Sequence, residues 1–140
     1  MLTVDRGIKY LQSCGAKITA PRIAILKLLE DRHDHPSAEQ IFLELKPCYP
    51  TLSIATVYST AQLLAKGSML KILSIDEKKV YFDPDMDDHA HFLCRACKQL
   101  FDVRTDCDLR AFFVPTEGIS TVEDTEIFYY GHCSKCVQVA

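Results

Sequence analysis

The sequence predicts an α+β protein in two parts. Four short helices and a β-hairpin occupy residues 1–83, residues 84–88 form a hinge, and residues 89–140 form a small α/β module. Three observations predict this. Apolar residues recur at helical spacing behind good capping residues as far as Lys66. The spacing then changes to alternation over Met69–Ile75 and Lys79–Asp83. Finally, two CxxC pairs, Cys94/Cys97 and Cys133/Cys136, stand 35 residues apart in the second part.

In chain order, residues 3–14 read as a first helix, with Ile8 and Leu11 on one side and Gly15 as its stop. Thr19 caps a second, with Pro21 tolerated in the first turn and Ile23, Ile25, Leu26 and Leu29 behind it. His33–Pro36 is a loop. Ser37 opens a third helix, and Gln40 completes a capping box. Pro47 and Pro50 end that helix.

Ser53 caps a fourth, whose apolar face is Ile54, Val57, Tyr58, Ala61, Leu64 and Ala65 and whose terminator is Gly67. Its polar face offers Ser53, Thr56, Ser59, Thr60, Gln62 and Lys66, residue types that reach phosphates and base edges. Asp76-Glu77-Lys78 turns the hairpin. Helices followed by a hairpin are the order of a winged helix-turn-helix, in which the last helix enters the major groove of double-stranded DNA. A helical bundle with a hairpin attached has the same pattern.

Beyond the acidic hinge, Phe92–Ala96 and Leu100–Arg104 read as strands flanking the first Cys pair. Asp106–Phe113 reads as a short helix, and Thr125–Tyr130 as a strand leading into the second pair. This module is apolar for its size, which suggests that a second copy covers one edge or face and makes a homodimer.

With 48% hydrophobic residues, the chain can bury a core. Its net charge of −3 argues against indiscriminate coating of nucleic acid. That charge is unevenly shared. Residues 1–83 hold 11 Lys and Arg against 9 Asp and Glu, and residues 84–140 hold 5 against 10. A mildly basic half joined to an acidic one suits a nucleic-acid reader linked to a sensing or assembly module. Asp5, Arg6 and Lys9 interrupt any secretory apolar run, and no stretch reaches membrane-spanning length. A cytoplasmic protein without membrane contact is expected. In such a reducing compartment, paired CxxC motifs favour metal over disulfide. Cys14, Cys48 and Cys107 stand outside the pairs as ordinary core or surface residues.

Two thiolates two residues apart converge on one ion from a tight turn, and two such turns close a tetrahedron. Cys94, Cys97, Cys133 and Cys136 therefore suit a structural Zn²⁺, a zinc knuckle that stabilises the fold and leaves no position open for catalysis. His89 and His91 flank Ala90, so on an extended strand both rings share a face. With His35, Asp83 and Asp102 they form a set of imidazole and carboxylate donors suited to Fe²⁺, Mn²⁺ or Zn²⁺. Taken singly, the two carboxylates also read as solvated charges and His35 as a loop residue. No substrate cleft is indicated, so an enzyme is not expected.

These motifs together resemble the ferric uptake regulator family and, within it, the peroxide-sensing regulators. The resemblance rests on Thr19-Ala20-Pro21-Arg22, His35-Pro36-Ser37-Ala38, Ile54-Ala55-Thr56-Val57-Tyr58, the run Asp88–Cys97 and Tyr130–Cys136. It implies a homodimeric repressor that binds palindromic operator DNA when a regulatory metal is loaded. By matching positions, the four paired cysteines would hold structural zinc. His35, Asp83, His89, His91 and Asp102 would hold regulatory Fe²⁺ or Mn²⁺. Arg22, Thr56 and Tyr58 match DNA-contacting positions, and Ser53 joins them on the polar face of the recognition helix.

Two positions bear on the signal. The resemblance places Asp102 where iron-responsive members usually carry Glu, and Ala90 where they often carry Asp. Both lean towards peroxide sensing, in which Fe²⁺ and H₂O₂ together oxidise a histidine ligand, here His35 or His89, and the repressor leaves DNA. An iron-responsive repressor using Fe²⁺ as corepressor is the alternative. Ser59-Thr60-Ala61 departs from the Arg- or Asn-rich run usual there, and the region of Asp106–Phe113 is short for a family dimer helix.

Overall fold

The computed structural model describes residues 1–137, and the fold divides into two compact units, Met1–Met86 and a second from Asp87 onward. Residues 138–140, at the end of the predicted 89–140 module, lie outside the described residues.

The first unit begins with helices α1 (Val4–Ser13), α2 (Ala20–Leu29), α3 (Ala38–Leu45) and α4 (Ile54–Lys66). Each starts where a side chain caps it. Thr3, Thr19, Ser37 and Ser53 accept the backbone N–H groups of Arg6, Arg22, Gln40 and Thr56. The capping box at α3 is complete, because Gln40 Oε1 also accepts the Ser37 N–H at 3.0 Å. Gly15 stops α1 at φ +73°, a left-handed conformation open to glycine at no steric cost.

Gly67 is different. It caps α4 without leaving the right-handed side, and Ser68 takes the left-handed turn at φ +56°. What Gly67 supplies is space, since a Cβ there would lie 2.8 Å from the Tyr10 ring.

Strands β1 (Lys71–Leu73) and β2 (Tyr81–Asp83) pair antiparallel, Lys71 opposite Asp83. They are shorter than the alternating runs that predict them. Met69, Leu70 and Ile75 are buried but lie outside β1, and an Asx turn (Lys78 N–H to Asp76 Oδ1, 3.0 Å) shapes the loop between the strands. Four helices followed by this hairpin make a winged helix-turn-helix. Its core joins Leu11, Ile25, Leu26, Leu29, Ile41, Val57, Leu64 and Phe82.

The second unit is a three-stranded sheet. β3 (Ala90–Cys94) lies between antiparallel β4 (Leu100–Val103) and parallel β5 (Phe128–Gly131). The helix expected over Asp106–Phe113 is a single 3₁₀ turn, Leu109–Phe112, opened by Asp108 Oδ1 accepting the Arg110 N–H at 2.9 Å.

Sequence periodicity misassigns two positions of α4. Thr60, expected on the polar face, is fully buried with Val57, Ala61 and Leu64. Ile54, expected in the core, is exposed. Among the described residues, Thr60 Oγ1 has no hydrogen-bond partner, and a buried hydroxyl in that state costs free energy. Thr60→Val keeps the shape and removes the hydroxyl, so urea unfolding should show a gain of about 1 kcal/mol. A loss of stability would mean that the hydroxyl has a partner in solution.

Candidate metal centres

The four paired cysteines come together within the second unit. β3 ends at Cys94, where the chain turns tightly through Lys98 at φ +63° and returns as β4, with Cys94 N–H bonded to Gln99 O at 3.0 Å. β5 leads to Cys133, whose carbonyl accepts the Cys136 N–H at 3.0 Å, closing the second turn. Arg95 ties the knuckles together. Its N–H donates to Gly131 O at 2.8 Å and its guanidinium lies 4.8 Å from the Tyr130 ring centre.

The four sulfurs lie within 4.8 Å of one another, and Cys97 Sγ is 3.8 Å from Cys133 Sγ, with all four thiols free of disulfides. A tetrahedral ion with bonds of about 2.3 Å sets its sulfurs roughly 3.8 Å apart. The donors and their spacing therefore fit zinc. Cys14, Cys48 and Cys107 are exposed and do not belong to the cluster.

The cluster's protons are unequally held. Backbone N–H groups of Cys97 and Cys133 directed at the Cys94 sulfur pull its thiol down to about 6. Cys136, bonded to the Cys133 and Cys97 sulfurs, is pushed up to about 12. At neutral pH, Cys94 is the thiolate ready to meet a cation. Zinc capture by the reduced, metal-free protein should therefore slow as pH falls through about 6, where Cys94 regains its proton. Stopped-flow mixing with a zinc-sensitive dye tests this, and a rate unchanged from pH 7 to pH 5 overturns it.

The imidazoles and carboxylates are arranged in two sets, one in each unit. In the first unit, His35 Nε2 lies 3.4 Å from Asp83 Oδ2, and both residues are buried. Asp83 ends β2, and its other oxygen accepts the Asp85 N–H at 2.9 Å. His35 follows a loop in the left-handed conformation, φ +51°. The residues after it are tied to β2 by Phe82 N–H to Pro36 O at 2.9 Å and by a bridge between Ser37 and Tyr81.

In the second unit, Asp102 of β4 stands opposite His91 in register, its Oδ1 3.6 Å from His91 Nε2 and 3.1 Å from His89 Nε2. The two rings are 4.5 Å apart, on the shared face that i, i+2 spacing in extended chain gives. His89 Nδ1 lies 2.6 Å from the Asp87 carbonyl. A carbonyl cannot donate, so Nδ1 carries the proton. In the neutral ring the Nε2 lone pair then faces the Asp102 carboxylate, and two acceptors at that distance require a cation or a second proton between them.

The residues expected to meet DNA lie in the first unit. Arg22 and Thr56 help line a cleft of about 390 Å³, together with Lys17, Thr19, Pro21, Thr51 and Leu52. Arg22 Nη1 donates to Lys17 O at 2.8 Å, and Ser53 Oγ lies 3.0 Å from Thr56 Oγ1. Tyr58 turns its hydroxyl to Glu39 Oε1 of α3 at 3.2 Å. Burial and this carboxylate push the phenol's pKa up. Within Ser59-Thr60-Ala61 only Ser59 reaches the surface, so most of that departure from the family pattern faces the core.

Sequence reasoning missed Glu39, the Asp87 carbonyl and Arg32, whose guanidinium joins Asp34 and Glu44. These partners are set by packing between elements and leave no local signal.

Comparison with known proteins now decides the family. The model of the ferric uptake regulator family matches residues 13–123. The chain belongs to that family. The peroxide-responsive repressor PerR of Staphylococcus aureus is 31% identical over 99 residues, covering 71% of this chain and 67% of the relative. The ferric uptake regulator of Francisella tularensis, solved with iron, is 27% identical and superposes with a TM-score of 0.67, covering 87% of this chain and 95% of that one. The Helicobacter pylori regulator shares the fold, with a TM-score of 0.73 at 16% identity over 96% and 93% of the two chains. No helix among the described residues is long and apolar enough to cross a membrane.

Proposed function

We propose that this chain is a metal-dependent, peroxide-responsive transcriptional repressor that binds operator DNA as a homodimer. Zn²⁺ would be held by Cys94, Cys97, Cys133 and Cys136, and Fe²⁺ or Mn²⁺ by His35, Asp83, His89, His91 and Asp102. The observation that carries the reading is His89. The Asp87 carbonyl fixes its tautomer and leaves Nε2 facing Asp102, an arrangement that a cation completes.

Four thiolates close the zinc shell, so that site contributes folding free energy and has no open position for chemistry. The nitrogen and oxygen set suits exchangeable divalent ions. Loading of that set would favour the DNA-binding state of the repressor. The basic cleft at Arg22 and Thr56, with Ser53 bonded to Thr56, supports duplex binding through phosphates and base edges, and Tyr58 follows on the same helix.

Family membership supports the repressor class, and likeness to the Staphylococcus aureus peroxide-responsive repressor supports the signal. When bound, Fe²⁺ would activate H₂O₂ so that the peroxide takes two electrons from a ring, one of its oxygens going to the ring and the other leaving as water. The part of the chain is to keep the His35 and His89 rings at the metal, where either can accept an oxygen atom. An oxidised ring is a poorer ligand, so the ion and then DNA are released.

The histidines are tested first by a His89→Ala/His91→Ala variant. It should keep its zinc and lose metal-dependent retardation of operator DNA, and full retention would sink their regulatory role. Mass spectrometry of Fe²⁺-loaded protein after dilute H₂O₂ tests the signal. One added oxygen on His35 or His89, with the four zinc cysteines unmodified, is expected. Iron-dependent DNA binding without histidine oxidation would favour the iron-responsive alternative.

A further inference from the structure

We propose that Arg32 is a positioning residue for His35: its guanidinium clamps the loop before His35 to α3 and so sets the affinity of the regulatory ion. The inference rests on His35 being a ligand of that ion.

The clamp is a double fork within the first unit. Arg32 Nε and Nη2 reach Asp34 Oδ1 and Oδ2 at 2.6 and 3.0 Å, while Nη1 and Nη2 reach Glu44 Oε2 and Oε1, both at 2.9 Å. One planar cation thus joins the residue preceding His35 to the far end of α3. The loop it holds is not at rest. Asp31 at φ +60° and His35 at φ +51° both occupy the left-handed region without being glycine. Such a segment relaxes unless both of its ends are tied.

Downstream of His35, the tie is backbone pairing of Pro36 and Ser37 with β2. Upstream, the tie is Arg32. Between them the ring is placed against Asp83. The ion pairs themselves add little to global stability, because Asp34 and Glu44 keep 59% and 44% of their side-chain surface exposed and are screened by solvent. What the clamp contributes is the position of one imidazole. Lysine can replace it only in part, since an ammonium has three donors and no planar fork to make the four bonds.

The experiment titrates the full-length, zinc-loaded protein with Mn²⁺, reading free ion by electron paramagnetic resonance. Arg32→Ala should weaken Mn²⁺ binding about tenfold, the loss typical of a group that orients a metal ligand. Arg32→Lys should recover only part of it. Glu44→Gln, which loosens the clamp and keeps the guanidinium, should weaken binding by a smaller factor and serves if Arg32→Ala fails to fold. In a His35→Ala background, Arg32→Ala should have no further effect on Mn²⁺, a result that a merely structural role would not give. In the Fe²⁺ protein treated with H₂O₂, Arg32→Ala should shift oxidation from His35 towards His89.

Unchanged Mn²⁺ affinity in both clamp variants, where His35→Ala weakens it, overturns the inference and leaves the metal reading standing. An equal loss from Arg32→Ala with and without His35 also overturns it. Unchanged affinity in His35→Ala overturns the metal reading, and this inference falls with it.

Discussion

Four cysteine sulfurs drawn within 4.8 Å of one another repel as thiolates unless a cation lies among them, and the second unit is arranged around that constraint. Its apolar core is small. Ala90, Leu93, Leu100 and Leu109 are buried, while Phe101, Val114, Ile119, Tyr129 and Tyr130 remain exposed. A unit of this size with so little burial needs a further source of stability, and a metal supplies it. The cysteine turns fix one end of the sheet, since β3 and β5 run parallel, Cys94 ends β3 and β5 leads into Cys133.

β3 carries that constraint to the second set of donors. A strand alternates its side chains, so anchoring Cys94 fixes the face on which His91 stands. Antiparallel register places Asp102 opposite, and the Asp87 carbonyl sets the tautomer of His89. In the first unit, the hairpin ends on Asp83, and β2 is paired with the residues that follow His35. Each half-set is therefore held by backbone hydrogen bonds before any ion is considered. That is the pre-organisation the proposed exchangeable site requires.

The recognition helix shows a competing demand. α4 buries Val57, Thr60, Ala61 and Leu64 against the other helices, and in the proposed function it must still present a face to a duplex. The core takes Thr60, and packing draws the Tyr58 hydroxyl towards Glu39 of α3. Near the helix start, Ser53 is bonded to Thr56, and Thr56 lines a cleft with Arg22. This is also the end that offers backbone N–H groups to phosphates.

The sequence by itself determined whatever depends on neighbours within a few residues. Thr3, Thr19, Ser37 and Ser53 start the helices because caps act locally, and Gly15 stops α1 for the same reason. The two CxxC turns and the shared face of His89 and His91 follow from spacing alone. Tertiary structure decided what depends on packing between distant segments. It paired His35 with Asp83, set Arg32 between Asp34 and Glu44, and turned Thr60 inward because the interhelical contact outweighed a hydroxyl's preference for water. It also reduced the expected helix at Asp106–Phe113 to one 3₁₀ turn. No period or cap encodes these outcomes, because their partners lie on other elements, brought near only by the folded core.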